Sequence, residues 1–380
     1  MSTKPLEREL RQRSIRMRIG VLTVVALLVV GLYLFSHLPR AWELVLPMRL
    51  TTVGALIVVA YAIGISTVMF QTVTANRILT PALMGFDSLY ILIQTVLVFV
   101  FGAAAMVSYS VVIKYLSETI ILVGFTLVLY WLVFRKGRSS IHILLLVGIV
   151  FGVFFRSVSN LVQRLIEPAE FAVLQDMFFA SFTRIDPVLL AATAAMCVLV
   201  TAVGAKYWHT FDVLLLGRDT AVSLGVNYQR MVIGIFIATS VLVAASTALV
   251  GPITFFGLLV ANLAYLIAGN HLHRNTLPIA VLLGVITLVG GQWLLARVFS
   301  QGTTLSIIIE FAGGIVLIYL LLRGEPCDDP TKERHEVLRF NDCRRRRDLR
   351  DRTVRNYVAH RPQWRGKIDA AVDDQPTHSV

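Results

Sequence analysis

Tyr207–Arg230 reads YWHTFDVLLLGRDTAVSLGVNYQR, a long polar interruption in a sequence that is otherwise nearly continuous apolar run. Its pattern is that of a short helix. Gly217 opens it, and Asp219 falls in the first turn, where a carboxylate suits the positive end of the helix dipole. Ala221 and Leu224 follow, and Gly225 is placed as the residue just past the C-terminus. Asn227 can then cap a next helix that returns into apolar sequence. A helix this short is not stable alone and needs a surface to pack on. One reading is a solvated connector between two spans. The other is a docking helix, carried by Gly217, Arg218, Asp219, Ala221, Leu224 and Gly225, that takes mechanical work from a separate cytoplasmic protein.

The sequence on either side decides the fold class. Of 380 residues, 56% are hydrophobic and 15% charged, where a soluble protein carries about 25% charged. The apolar residues gather in runs of roughly 17–25, the length that crosses a hydrocarbon core of about 30 Å. Ten runs are expected to be spans, at about 19–36, 50–70, 83–105, 112–134, 141–165, 187–206, 231–250, 253–269, 278–298 and 307–323. The first follows a basic start, but it is long and no small-x-small cleavage site follows, so it reads as a retained span. The expectation is an all-α polytopic membrane protein with about ten transmembrane helices and both termini cytoplasmic. Residues 1–18 form a basic N-terminus, 19–323 the ten-helix transmembrane domain, and 324–380 a basic tail of disordered composition.

Orientation follows from charge. With the N-terminus inside, 28 of the 35 Lys and Arg fall in cytoplasmic segments, and without the tail the ratio is still 14 to 7. The positive-inside rule therefore puts Tyr207–Arg230 in the cytoplasm. The net charge of +12 belongs to topology rather than to nucleic acid, although the basic tail with Arg344–Arg347 suits anionic membrane lipid. Outside, Arg40, Arg49 and Arg184 read either as snorkelling interfacial arginines or as a basic rim for a docking protein.

Polar groups within the spans are few, and each is a candidate for helix–helix contact or for a pathway. Ser157 and Asn160 share a helix face that Gln163 continues, beside Arg156 and Ser159. Gly148 and Gly152 have the spacing of a close helix approach. Glu310 is read as nearly the only intramembrane carboxylate, which disfavours an ion-coupled secondary transporter. No P-loop, HExxH or GxSxG occurs, so neither ATP binding through a P-loop nor catalysis by those motifs is indicated. His271 and His273 are read as a surface pair, and the three cysteines lack metal-ligand spacing.

Three stretches, in order, resemble the permease subunits of ABC importers for iron-siderophores and vitamin B12. The first is Arg49–Tyr90, with Arg49, Gln71, Asn76, Leu79, Pro81 and Gly85; the second is LLLGRDTAVSLGV at 214–226; the third is Gly251–Gly284, beginning GPITFFGL. Val260-Ala261-Asn262 departs from the family's usual Pro-His at that point. The resemblance implies transport of a ferric siderophore, with cobalamin or haem as alternatives, and no cofactor on this chain because ATP is held by a partner ATPase. It implies an extracytoplasmic siderophore-binding protein on Arg40, Arg49 and Arg184, and a path that includes Gln71, Ser157, Asn160 and Gln163. The Asn76–Pro81 run is similar to a subgroup that forms one half of a heterodimeric permease, which implies a different second permease rather than a homodimer.

Overall fold

The structure is a computed structural model that describes residues 4–36, 42–103, 110–134, 141–182, 185–269, 272–298 and 304–323. Among the described residues it is all helix, with thirteen α-helices, one 3-10 turn and no strand. The helices are α1 (Lys4–Phe35), α2 (Trp42–Thr74), α3 (Phe86–Phe101), α4 (Val111–Phe134), α5 (Ile141–Gln163), α6 (Pro168–Met177) and α7 (Pro187–Ala205). They continue with α8 (Trp208–Leu214), α9 (Arg218–Ser223), α10 (Tyr228–Val250), α11 (Phe256–Ala268), α12 (His273–Val298) and α13 (Leu305–Arg323). Each of the ten expected spans falls on one helix. Seven are long and apolar enough to cross a membrane, and α3, α11 and α13 are apolar over shorter stretches. The tail from 324 lies outside the described residues.

Three boundaries differ from the sequence expectation. The basic residues from Lys4 are helical and continuous with the first span. The run expected at 83–105 is interrupted by a 3-10 turn at Pro81–Met84, and α3 begins only after Gly85, whose φ of 92° no helix continues through. At 16 residues α3 is about 24 Å long, short of a full bilayer core. Likewise Gly251, at φ 102°, and Pro252 hold back the start of α11 to Phe256.

The bundle is built around α2, which packs against α7, α10, α11 and α12. Lipid tails are as apolar as leucine, so close packing rather than hydrophobicity must hold spans together. Small residues at the contacts provide it: Gly64 of α2 lies against the Ala280 backbone of α12, Gly284 of α12 against Ala60, and Gly257 of α11 receives Ile63 and Thr67. By contrast α1 covers only one flank, against α12 and α2, and leaves Val21, Val24, Leu28 and Leu32 exposed for lipid. Gly148 and Gly152 do permit a close approach, but their partner is the turn before α3. Met84 lies over Gly148, and Gly85 lies over Gly152.

Candidate functional site

The polar interruption folds as two short helices. Phe211 and Leu214 of α8 are buried and fix it to the bundle, and the chain reverses at Gly217, φ 88°. Asp219 lies in the first turn of α9, as its position suggested. The helix ends in a Schellman motif: the Gly225 N–H donates to the Val222 carbonyl and the Val226 N–H to the Ala221 carbonyl. Gly225 adopts φ 81°, and Asn227 caps α10 by accepting from the Arg230 N–H at 3.2 Å. Ala221 alone of the six α9 residues is buried. Leu215, Leu216, Val222 and Leu224 are exposed on a segment assigned to the cytoplasm, where no lipid covers them.

Behind α8 is a contact that sequence reading misses. Asp212 accepts two hydrogen bonds on one carboxylate oxygen, from the His273 backbone N–H at 3.0 Å and from its ring Nδ1 at 2.7 Å. The ring Nε2 lies 2.8 Å from the Thr72 hydroxyl of α2, which also donates to the Val68 carbonyl. Burial by itself pushes the Asp212 carboxyl up, but the two hydrogen bonds from His273 and the charges of His273 and His209 outweigh it and hold the group below its ordinary value. The surface reading of His273 is thereby corrected. The residue is 1% exposed because α12 starts on it, turning it inward beneath α8; His271 lies outside the described residues.

On the outer side, Arg40 and Arg184 lie outside the described residues. Arg49 is half-buried, and its guanidinium donates to the carbonyls of Tyr33, Leu34 and Ser36 at 2.9–3.2 Å. It thus satisfies the last carbonyls of α1, which have no partner within their own helix. Arg297, absent from the sequence candidates, donates to the Ser36 carbonyl at 2.9 Å. The two arginines border a pocket of about 380 Å³ with Tyr33, Thr52, Gln292 and Trp293.

The expected pathway residues divide. Ser157 and Asn160 are exposed on α5. Gln163 turns the other way and donates to Ser159 at 3.0 Å, within a Thr95–Ser159 cluster between α3 and α5. Gln71 is buried, and its amide donates to the Arg77 carbonyl at 2.7 Å, so it braces the turn after α2 rather than lining an open path. The near absence of intramembrane carboxylates is also corrected. Asp87 accepts from Thr254 at 2.7 Å, and Glu118 accepts from Gln94 at 2.6 Å; both are buried in the bundle.

Residues 16–323 match the FecCD transport family. The chain belongs to that family. Its relatives include the petrobactin import system permease protein YclO of Bacillus subtilis, 45% identical over 81% of this chain and 98% of that protein. The petrobactin import system permease protein FatC of Bacillus anthracis is 38% identical over 73% of this chain and 79% of that protein. Among solved structures, a metal-chelate type ABC transporter in an inward-facing conformation superposes with a TM-score of 0.71 at 18% identity, covering 80% of this chain and 99% of that one. It has the same fold. With ten apolar helices and permease relatives, this FecCD protein is a multi-pass protein of the cytoplasmic membrane.

What the sequence of this FecCD chain conceals is pairing across distance. Thr72, Asp212 and His273 sit on three elements, and no local spacing connects them.

Proposed function

We propose that the chain is the permease subunit of an ATP-driven importer that carries a ferric siderophore, of the class that includes petrobactin, across the cytoplasmic membrane. The 45% identity to a petrobactin import permease over 98% of its length carries this reading. A separate ATPase binds the apolar side chains exposed around α9 and hydrolyses the ATP; its stroke switches the bundle between outward- and inward-open. The second permease is a different chain, since two differently named petrobactin import permeases of Bacillus anthracis, FatC and FatD, match at 38% and 27% identity. An extracytoplasmic binding protein docks on Arg40 and Arg184, while Arg49 and Arg297 are engaged by the carbonyls at the end of α1. Ser157 and Asn160, exposed in the outer half of α5, face the passing chelate.

The test is uptake of iron-labelled ferric petrobactin by a deletion strain carrying this chain with an N-terminal tag, with haem and cobalamin as competitors, followed by pull-down from its membranes. Uptake of the siderophore is expected, with a P-loop ATPase, a second permease and a binding protein co-purifying. Uptake of haem or cobalamin instead overturns the substrate class. Recovery of the chain alone, or only with itself, overturns the ATPase reading.

A further inference from the structure

The docking helix is poorly anchored by its own contacts. α9 has six residues, one of them buried, and its main contacts are with its neighbours α8 and α10. Its covalent connections run back through α8 to α7 and forward through Gly225–Asn227 to α10. Both connected helices, α7 and α10, pack on α2, and α2 and α12 pack together at the centre of the bundle, but the start of α12 is met by α8. A push on α9 can therefore reach α2 through helix packing, and the contact of α8 with the start of α12 offers a second, direct joint to the central pair.

We propose that Asp212, His273 and Thr72 are that joint, with His273 the positioning residue that ties the docking segment to the cytoplasmic ends of α2 and α12. Asp212 belongs to α8 and accepts from both the backbone and the ring of the first residue of α12. A displacement of α8 is thus passed to the α12 backbone itself, not merely to a flexible side chain. The opposite ring nitrogen engages Thr72, so the same imidazole passes the displacement to α2. Phe211, one residue before Asp212, packs its ring 6.1 Å from the imidazole and restricts its rotation. The carboxylate is a quarter exposed while the imidazole is enclosed, so the joint is sealed on the membrane side and borders water on the docking side. Tyr207 and Gly217 bracket α8 with non-helical backbone. Without Asp212, α8 is held by the packing of Phe211 and Leu214 but loses its hydrogen bonds to α12, and the turns at its ends absorb part of the stroke.

This inference rests on the reading that α9 receives an ATPase. The test uses the whole complex, purified with its ATPase and second permease and reconstituted in liposomes with binding protein and ferric siderophore. Thr72→Val removes one hydroxyl at constant shape, Asp212→Asn keeps an acceptor without its charge, and Asp212→Ala removes the acceptor. Three quantities are read: ATPase recovered per permease, ATP hydrolysed, and chelate transported. For Thr72→Val and Asp212→Ala, ATPase recovery and hydrolysis stay at wild-type level while transport falls on the order of 10-fold, a common size for coupling between sites. Asp212→Asn falls less. Should Asp212→Ala not accumulate in the membrane, Thr72→Val and Asp212→Asn carry the comparison. Unchanged transport overturns the joint. So does a loss of hydrolysis in proportion to transport, or a loss of ATPase from the variant complex alone, because each makes the contact merely structural. Absence of the ATPase from the wild-type complex instead overturns the underlying docking reading.

Discussion

Two glycines with nearly the same φ are held for different reasons. Gly85 has φ 92°, and a β-carbon built on it would lie 3.0 Å from the Gly152 Cα. Alanine there combines left-handed strain of about 1–2 kcal/mol with an overpacking cost of about 1–3 kcal/mol, against helix backbone that cannot move aside. Gly217 has φ 88° with ψ 168°, a region open essentially to glycine alone, but nothing lies within 4 Å of its β-carbon position, so alanine there meets backbone strain of about 1–3 kcal/mol and no clash. Gly85→Ala is expected to lower the thermal midpoint of the detergent-solubilised protein markedly. Gly217→Ala should lower it less, since it adds strain without overpacking, and should also disturb the presentation of α9. Equal losses at the two sites would show that conformation, not the approach of α3 to α5, governs Gly85. Arg49 teaches the complementary lesson. An arginine at the outer end of a span reads the same in sequence whether it faces a partner or caps a neighbouring helix, and here the carbonyls of Tyr33, Leu34 and Ser36 engage it.

At the scale of elements, α9 was legible because its signals are local. An aspartate in the first turn, a glycine after the last and an asparagine before the next helix are each set by backbone geometry within a few residues. The ten spans were legible because length and apolarity alone determine them. The shortness of α3 and α11 was not, although Pro81, Gly85, Gly251 and Pro252 were all in view; apolar sequence runs on across both breaks. Still less could Asp212–His273 or Thr72–His273 be found, at separations of 61 and 201 residues. The element's own prediction concerns its exposed side chains. Leu224 is 62% exposed and bears no load in the isolated fold. Leu224→Asp should leave the permease abundant in the membrane while ATPase no longer co-purifies with it. Retention of the ATPase would mean that the apolar residues of α9 are not its landing surface.

For the whole molecule, charge and fold make a joint statement about the last 57 residues, 324–380. The family match ends at Arg323, and 98% of the length of the Bacillus subtilis relative is accounted for within the 308 residues it shares with this chain. The family match therefore does not extend into the tail. Topology does not need the tail either. The tail region from Arg323 holds 14 of the basic residues, yet the remaining cytoplasmic segments still carry 14 against 7 elsewhere. Orientation is set mainly by basic residues close to the spans, and the early ones usually dominate. Six stand before residue 19, on the helix that becomes the first span. A chain ending at residue 323 should accordingly insert with its N-terminus inside and import ferric siderophore to within about two-fold of the full chain, a change worth less than ~0.5 kcal/mol in any rate-limiting step. Protease treatment of spheroplasts, with a tag on the N-terminus, reads the orientation, and labelled-iron uptake reads the function. A tag that becomes cleavable from outside would show that the tail's charges fix the topology. A protected tag with uptake lost would assign the tail a part in the assembled importer that neither the shared fold nor the charge distribution requires.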